Sequence, residues 1–161
     1  MKATFKRILP TSLWNLLGRS YDFVRRLPEQ PGAYLHPWRR TSRHNLQALQ
    51  DTHIGQRCFI IGNGPSLKEL DLAKLQNEIT FGMNRFYLIF PKLGFSTTYF
   101  VSINDLVIQQ CAADIQALTI PKFLAWHAHP YIQPTPDTSF VYSTYTGPGF
   151  SRNVSGRVWE G

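Results

Sequence analysis

Residues 57–67 read RCFIIGNGPSL. The apolar run Cys58–Ile61 leads into Gly62-Asn63-Gly64-Pro65-Ser66. A short apolar run ending in glycine predicts a strand, here Arg57–Ile61, buried on both faces. Pro65 suits the first position of a helix, where its missing N–H costs nothing. Two glycines let the backbone approach a ligand without a Cβ clash. The N–H groups of the following first turn, with the helix dipole, make an anion site. Ser66 adds a hydroxyl and Asn63 an amide. The stretch therefore predicts a strand, a phosphate-binding turn and a helix start. A plain tight turn is the competing reading. The GxxxxGK[ST] spacing of a P-loop is absent, and Leu67 stands where the dinucleotide fingerprint has its third glycine.

Outward from this turn, strands and helices alternate. A helix is expected over 65–75, a strand over Glu78–Gly82 and a short helix over Arg85–Pro91. Thr97–Ile103 is rich in β-branched and aromatic residues and reads as a strand. Asp105–Leu118 has helical apolar spacing, and Pro121–Trp126 and Ser139–Ser143 are further strands. The expected class is α/β, a Rossmann-like, mostly parallel sheet with helices on both faces. Ser151–Gly161 is polar and offers no closing helix or strand, so the domain over 51–161 is expected to be incomplete at Gly161. A flexible tail is the alternative.

On the other side lies a basic arm and linker, residues 1–50. The chain has 161 residues and a net charge of +7, and residues 1–50 hold nine of its 17 basic residues against two acidic ones. Residues 51–161 are neutral, so the basicity belongs to the arm, and no nucleic-acid partner is expected. After Pro10, with Thr11 or Ser12 as cap, Leu13, Trp14, Leu17, Tyr21 and Val24 share one helical face. Arg19, Arg25 and Arg26 lie largely off it. This basic amphipathic helix predicts either docking of residues 1–27 on an anionic membrane surface or packing on the domain or a partner chain. Residues 28–45, with Pro28, Pro31, Gly32 and Pro37, read as a linker, and a short helix near Asn45–Gln50 leads into the domain. No apolar run approaches the ~20 residues that cross a bilayer. Pro10, Asn15 and Arg19 interrupt any signal-peptide core. The expected location is cytoplasmic, at most peripheral to the inner face of the membrane.

Two asparagines repeat the placement of Asn63. Asn84 follows the strand ending at Gly82, and Asn104 the strand ending at Ile103. In a parallel sheet the three would converge on one crevice, where neutral amides can hydrogen-bond a base or ribose. Singly, each is more often a cap or turn residue. Asp105 reads as a helix cap or a general base. His127 and His129 could place two imidazoles on one side, but a metal needs a third ligand and none is evident, so no metal site is expected. Cys58 and Cys111 read as small core residues in a reducing compartment. Tyr142, Tyr145 and Phe150 read as packing residues. No Ser-His-Asp or Cys-His constellation is legible from spacing.

FIIGNGPSLKELDLAKL, TFGMNRFYL and YFVSINDL together resemble the 6-hydroxymethylpterin pyrophosphokinase-like (MptE-like) family and the related bacterial CMP-sialyltransferases. The resemblance covers about residues 55–110. It implies that Gly62, Asn63, Gly64 and Ser66 hold the phosphate side of a nucleotide, with Asn84 and Asn104 on the nucleoside. It implies a nucleotide substrate, a CMP-sugar or ATP, and the basic N-terminal arm fits a peripheral membrane enzyme of surface-glycan assembly. Relatives carry a catalytic histidine and a glycine- and threonine-rich turn further along than this chain extends. Together these readings give a nucleotide-dependent transferase, with Gly62, Asn63, Gly64, Pro65, Ser66, Asn84, Asn104 and Asp105 as binding residues. A sugar donor is preferred, because diphosphate transfer from ATP wants carboxylates for Mg²⁺ and only Asp105 follows a strand. An ATP-dependent pyrophosphokinase and a non-catalytic interaction module are the alternatives.

Overall fold

The computed structural model describes residues 10–144 and 158–159. Five strands, β1 Cys58–Ile61, β2 Ile79–Met83, β3 Tyr99–Ser102, β4 Lys122–Ala125 and β5 Thr138–Val141, form one sheet. All neighbours are parallel and the order is β1-β2-β3-β4-β5. Helices are α1 Thr11–Arg26, α2 Gln30–Leu35, α3 Pro37–Ala48, α4 Phe90–Leu93, α5 Asp105–Gln110 and α6 Ala112–Ala117, with short 3₁₀ turns between. This is the expected α/β, Rossmann-like class.

Register decides which side chains share a face. Ile61, Gly82, Phe100 and Lys122 stand in line across four strands, and Leu124 stands beside Phe140. The main core lies on this face, where Phe100, Leu124 and Phe140 meet Ile108, Cys111 and Ile115 of the α5–α6 segment. A second cluster joins Ile61, Leu72 and Phe86. On the opposite face Phe81 stacks on Tyr99 at 4.8 Å between ring centroids, and Tyr99 lies 5.7 Å from Phe123.

The sequential order makes β1 an edge strand. The expectation that it is buried on both faces is therefore corrected: Ile60 is 72% exposed and Cys58 is exposed, while only Ile61 reaches the core. Cys111 is buried as expected.

The other edge, at β5, is closed by the segment expected to be a linker. His36 accepts the Trp38 N–H through Nδ1, and Pro37 occupies the first helical position, so residues 37–48 form α3 rather than a loop. Its Ser42 Oγ accepts the Phe140 N–H at 2.8 Å. Its Arg39 Nη1 donates to the Phe140 carbonyl at 3.3 Å. Trp38 stacks on the Phe140 ring at 6.1 Å. A domain start at residue 51 thus falls inside the packed unit.

Two further stretches differ from expectation. The helix of 105–118 breaks at Cys111 (φ −119°, ψ 23°) into α5 and α6. At the tail, Val158–Trp159 pairs in parallel with Ser143–Thr144, where no closing strand was expected. Two residues are too few to show any periodicity. Tyr142 is buried in the core, as expected; Tyr145 and Phe150 lie outside the described residues.

Replacing Ser42 by Ala leaves the buried Phe140 N–H without its acceptor. The expected loss is about 1–3 kcal/mol in urea unfolding. Thr41→Ala, whose exposed hydroxyl bonds only the Pro37 carbonyl, is the control and should stay within about 0.5 kcal/mol of the parent.

Candidate functional site

Because all five strands run the same way, their C-terminal ends form one edge. Gly62–Ser66 follows β1, Asn84 follows β2, Asn104 and Asp105 follow β3, and His127 follows β4. The order has no reversal among the described strands, so the crevice that a topological switch point creates in doubly wound sheets does not arise here.

Gly62 through Ser66 are all exposed. Pro65 opens a 3₁₀ turn, Pro65–Glu69, rather than a helix reaching Leu75. The chain extends at Leu70 (φ −96°, ψ 138°) and turns again over Leu72–Leu75. The core explains the break. Leu67, Leu72 and Leu75 all pack on the Ile61–Phe86 cluster, whereas a continuous helix would place Leu72 roughly 140° around from Leu67. No long helix dipole therefore points at the turn, and the Leu67 N–H already bonds the Gly64 carbonyl. Anion binding here would rest on the local backbone and the Ser66 and Asn63 side chains.

Neither glycine of the turn is required by the fold. Both keep negative or extended backbone angles, with Gly64 at φ −73°, ψ 160°. A Cβ at Gly62 would meet nothing within 4 Å, and at Gly64 only Ser66 Oγ at 3.8 Å. Gly82 is the opposite case, since its Cβ would fall 2.9 Å from Thr97 Oγ1 and 3.0 Å from Phe86 Cδ1.

Asn84 adopts the left-handed region at φ 53°. Its N–H bonds the Val101 carbonyl at 3.0 Å, and its Oδ1 accepts the Ser102 hydroxyl at 3.3 Å. Asn104 caps α5, its Oδ1 accepting the Val107 N–H at 3.1 Å. The three asparagines thus share an edge, but no hydrogen bond joins them.

The cap reading of Asp105 is corrected, since Asn104 is the cap. Asp105 Oδ1 instead pairs with His127 Nε2, across the ends of β3 and β4. The two side chains are 59% and 29% exposed. This pair is not legible from spacing, because 22 positions separate its members. Pairing β3 with β4 and counting from their ends would have found it, as both residues lie in the first turns beyond adjacent strands.

The two histidines of the WHAHP stretch diverge. His129 stacks on the buried Trp126 at 4.3 Å, and its Nδ1 donates to the Trp126 carbonyl at 2.8 Å. His127 is left facing Asp105. Among the described residues no three His, Cys, Asp or Glu side chains gather in a metal-binding group.

A surface depression at the opposite, N-terminal end of β1 and β2 is lined by Gln56, Arg57, Asn77, Glu78 and Ile79. Arg57 Nε lies 3.1 Å from both Glu78 oxygens, and this bonding holds the Glu78 carboxyl below the usual range. The pair satisfies its own charges and lies away from the strand ends considered above. Comparison with protein-family models, curated proteins and solved structures gave no match.

Asn84 tests how the edge is built. Asn84→Ala keeps a left-handed residue with a Cβ and loses the Ser102 contact, so about 1–3 kcal/mol of stability should go. Asn84→Gly relieves the backbone term and should recover part of that loss, read as the urea midpoint.

Proposed function

We propose that the chain is the nucleotide-binding domain of a transferase, and that its donor is a nucleotide-activated sugar used in surface-glycan assembly. The observation that carries this reading is the pair of glycines at 62 and 64. A plain tight turn would use their left-handed freedom, and neither does. Their other property is the absence of a side chain over an open surface, which is what a closely approaching phosphate needs.

The neighbouring strand ends supply the rest of the chemistry. Asn84 and Asn104 present amide groups for a base or ribose. His127 Nε2 faces the Asp105 carboxylate; assigning the ring proton to that nitrogen leaves Nδ1 as the proton acceptor. His127 is then a general base for the acceptor hydroxyl, and Asp105 stabilises the imidazolium that forms. Such a transfer needs positioning and one base. An ATP-dependent diphosphate transfer would want Asp105 free for Mg²⁺, and Asp105 already faces His127.

Calorimetric titration with CMP, CDP, ATP and GTP tests the reading. A cytidine nucleotide should bind, and failure of all four at millimolar concentration would sink it. Gly64→Ala should abolish that binding while leaving stability unchanged or raised by about 0.4–1 kcal/mol, because the side chain meets open space. His127→Gln should keep binding and lower any turnover by about 10²–10⁴-fold. Binding by a chain with no turnover in any assay would leave a non-catalytic nucleotide module.

A further inference from the structure

α1, Thr11–Arg26, is a 16-residue amphipathic helix. Leu13, Leu16, Leu17, Tyr21, Phe23 and Val24 each leave 45–67% of their surface exposed. At 3.6 residues per turn these positions form one broad stripe. Ser20 sits within it, and its hydroxyl donates to the Leu16 carbonyl at 3.0 Å, which removes an unpaired polar group from the apolar face. Arg19, Arg25 and Arg26 occupy helix positions off the stripe. Residues 1–27 carry six basic residues and one acidic residue. The expectation that this helix packs on its own domain is not what the structure shows, since the stripe is exposed.

We infer that α1 lies flat on an anionic lipid bilayer, with its apolar stripe in the acyl boundary and its arginines at the headgroups. This goes beyond the nucleotide site and does not rest on it. Three observations favour a bilayer over a second copy of the chain. The stripe is wide and mixes aromatic with aliphatic side chains, unlike the narrow seam of a coiled coil. The flanking charge is nearly all of one sign, so two copies repel where an anionic surface attracts. Trp14 and Tyr21 are the residue types that prefer the headgroup level. The helix lies on the surface rather than spanning it, because none of the described helices is long and apolar enough to cross a membrane.

The test is co-sedimentation of the full chain with vesicles of phosphatidylcholine alone and of phosphatidylcholine with an equal share of phosphatidylserine. Binding should require phosphatidylserine and fall with added salt. Leu17→Glu with Val24→Glu should abolish pelleting. Arg25→Gln with Arg26→Gln should weaken it roughly thirtyfold, at about one kilocalorie per basic residue. Unchanged thermal unfolding of both variants shows that the sheet domain is intact. Equal binding to both vesicle types, or no binding to either, overturns the inference. So does a dimer in size-exclusion chromatography that Leu17→Glu with Val24→Glu dissolves while vesicle binding persists, because the stripe would then belong to a second copy.

Discussion

Phe140 of β5 turns both its N–H and its carbonyl away from β4, into a buried edge. A backbone group placed there without a partner costs about 1–3 kcal/mol, and an open edge invites pairing with another chain. Ser42 and Arg39 of α3 meet the two groups, and Trp38 covers the ring. One helical segment thus satisfies the edge electrostatically and extends the core. Its start depends on a local device, the His36 side chain bonding the Trp38 N–H with Pro37 as the first helical residue. The edge of the sheet therefore rests on a segment that precedes it by about a hundred positions.

Buried cations recur at this side of the sheet. Arg39 is 4% exposed and Lys122 is fully buried, and burial pushes both pKa values down. Lys122 is held by oxygen acceptors that carry no charge, the Leu118 carbonyl and the Thr135 hydroxyl. Lys122 Nζ donates to the Leu118 carbonyl at 2.7 Å, at the C-terminal end of α6, where the helix dipole favours positive charge. Arg39 serves the Phe140 carbonyl. In both cases a carbonyl that secondary structure leaves unbonded is matched to a long flexible donor. The opposite edge needs less: β1 is short and exposed, with Arg57 and Glu78 paired at its start.

Apolar, β-branched and aromatic runs were enough to place all five strands within about two residues of their observed ends. What local pattern could not carry was order. The run Cys58–Ile61 reads as doubly buried because it is apolar throughout, and only the strand order shows it to be an edge. The proline-rich stretch 28–45 reads as a linker because Pro37 looks like a breaker, yet the same proline at a first helical position starts α3. The helix expected over 65–75 breaks for a tertiary reason, since Leu67, Leu72 and Leu75 must all reach one cluster. The same gap explains the site. Asn84 and Asn104 were legible as strand-end residues, while the Asp105–His127 pair needs the β3–β4 register.

The sequential order also fixes the scale of the proposed site. Neighbouring strands lie about 4.8 Å apart, so the glycine turn after β1 and His127 after β4 are separated by three spacings, roughly 14 Å along the edge. Asn84 and Asn104 fall at the intermediate steps. A lone phosphate could engage one end only. In an activated sugar the reacting anomeric carbon is bonded to a phosphate oxygen, so a donor phosphate on the glycine turn sets the reacting centre beside that turn, and the acceptor hydroxyl must lie between the anomeric carbon and His127. A donor and acceptor together span the edge in that way, whereas a compact anion does not. The fold-imposed roles of Asn84 and Asn104 do not compete with this, because each uses its Oδ1 for the fold. Each amide group is thereby held in a fixed orientation at the edge. The interactions that make these residues look merely structural are thus the ones that would pre-organise them for a ligand.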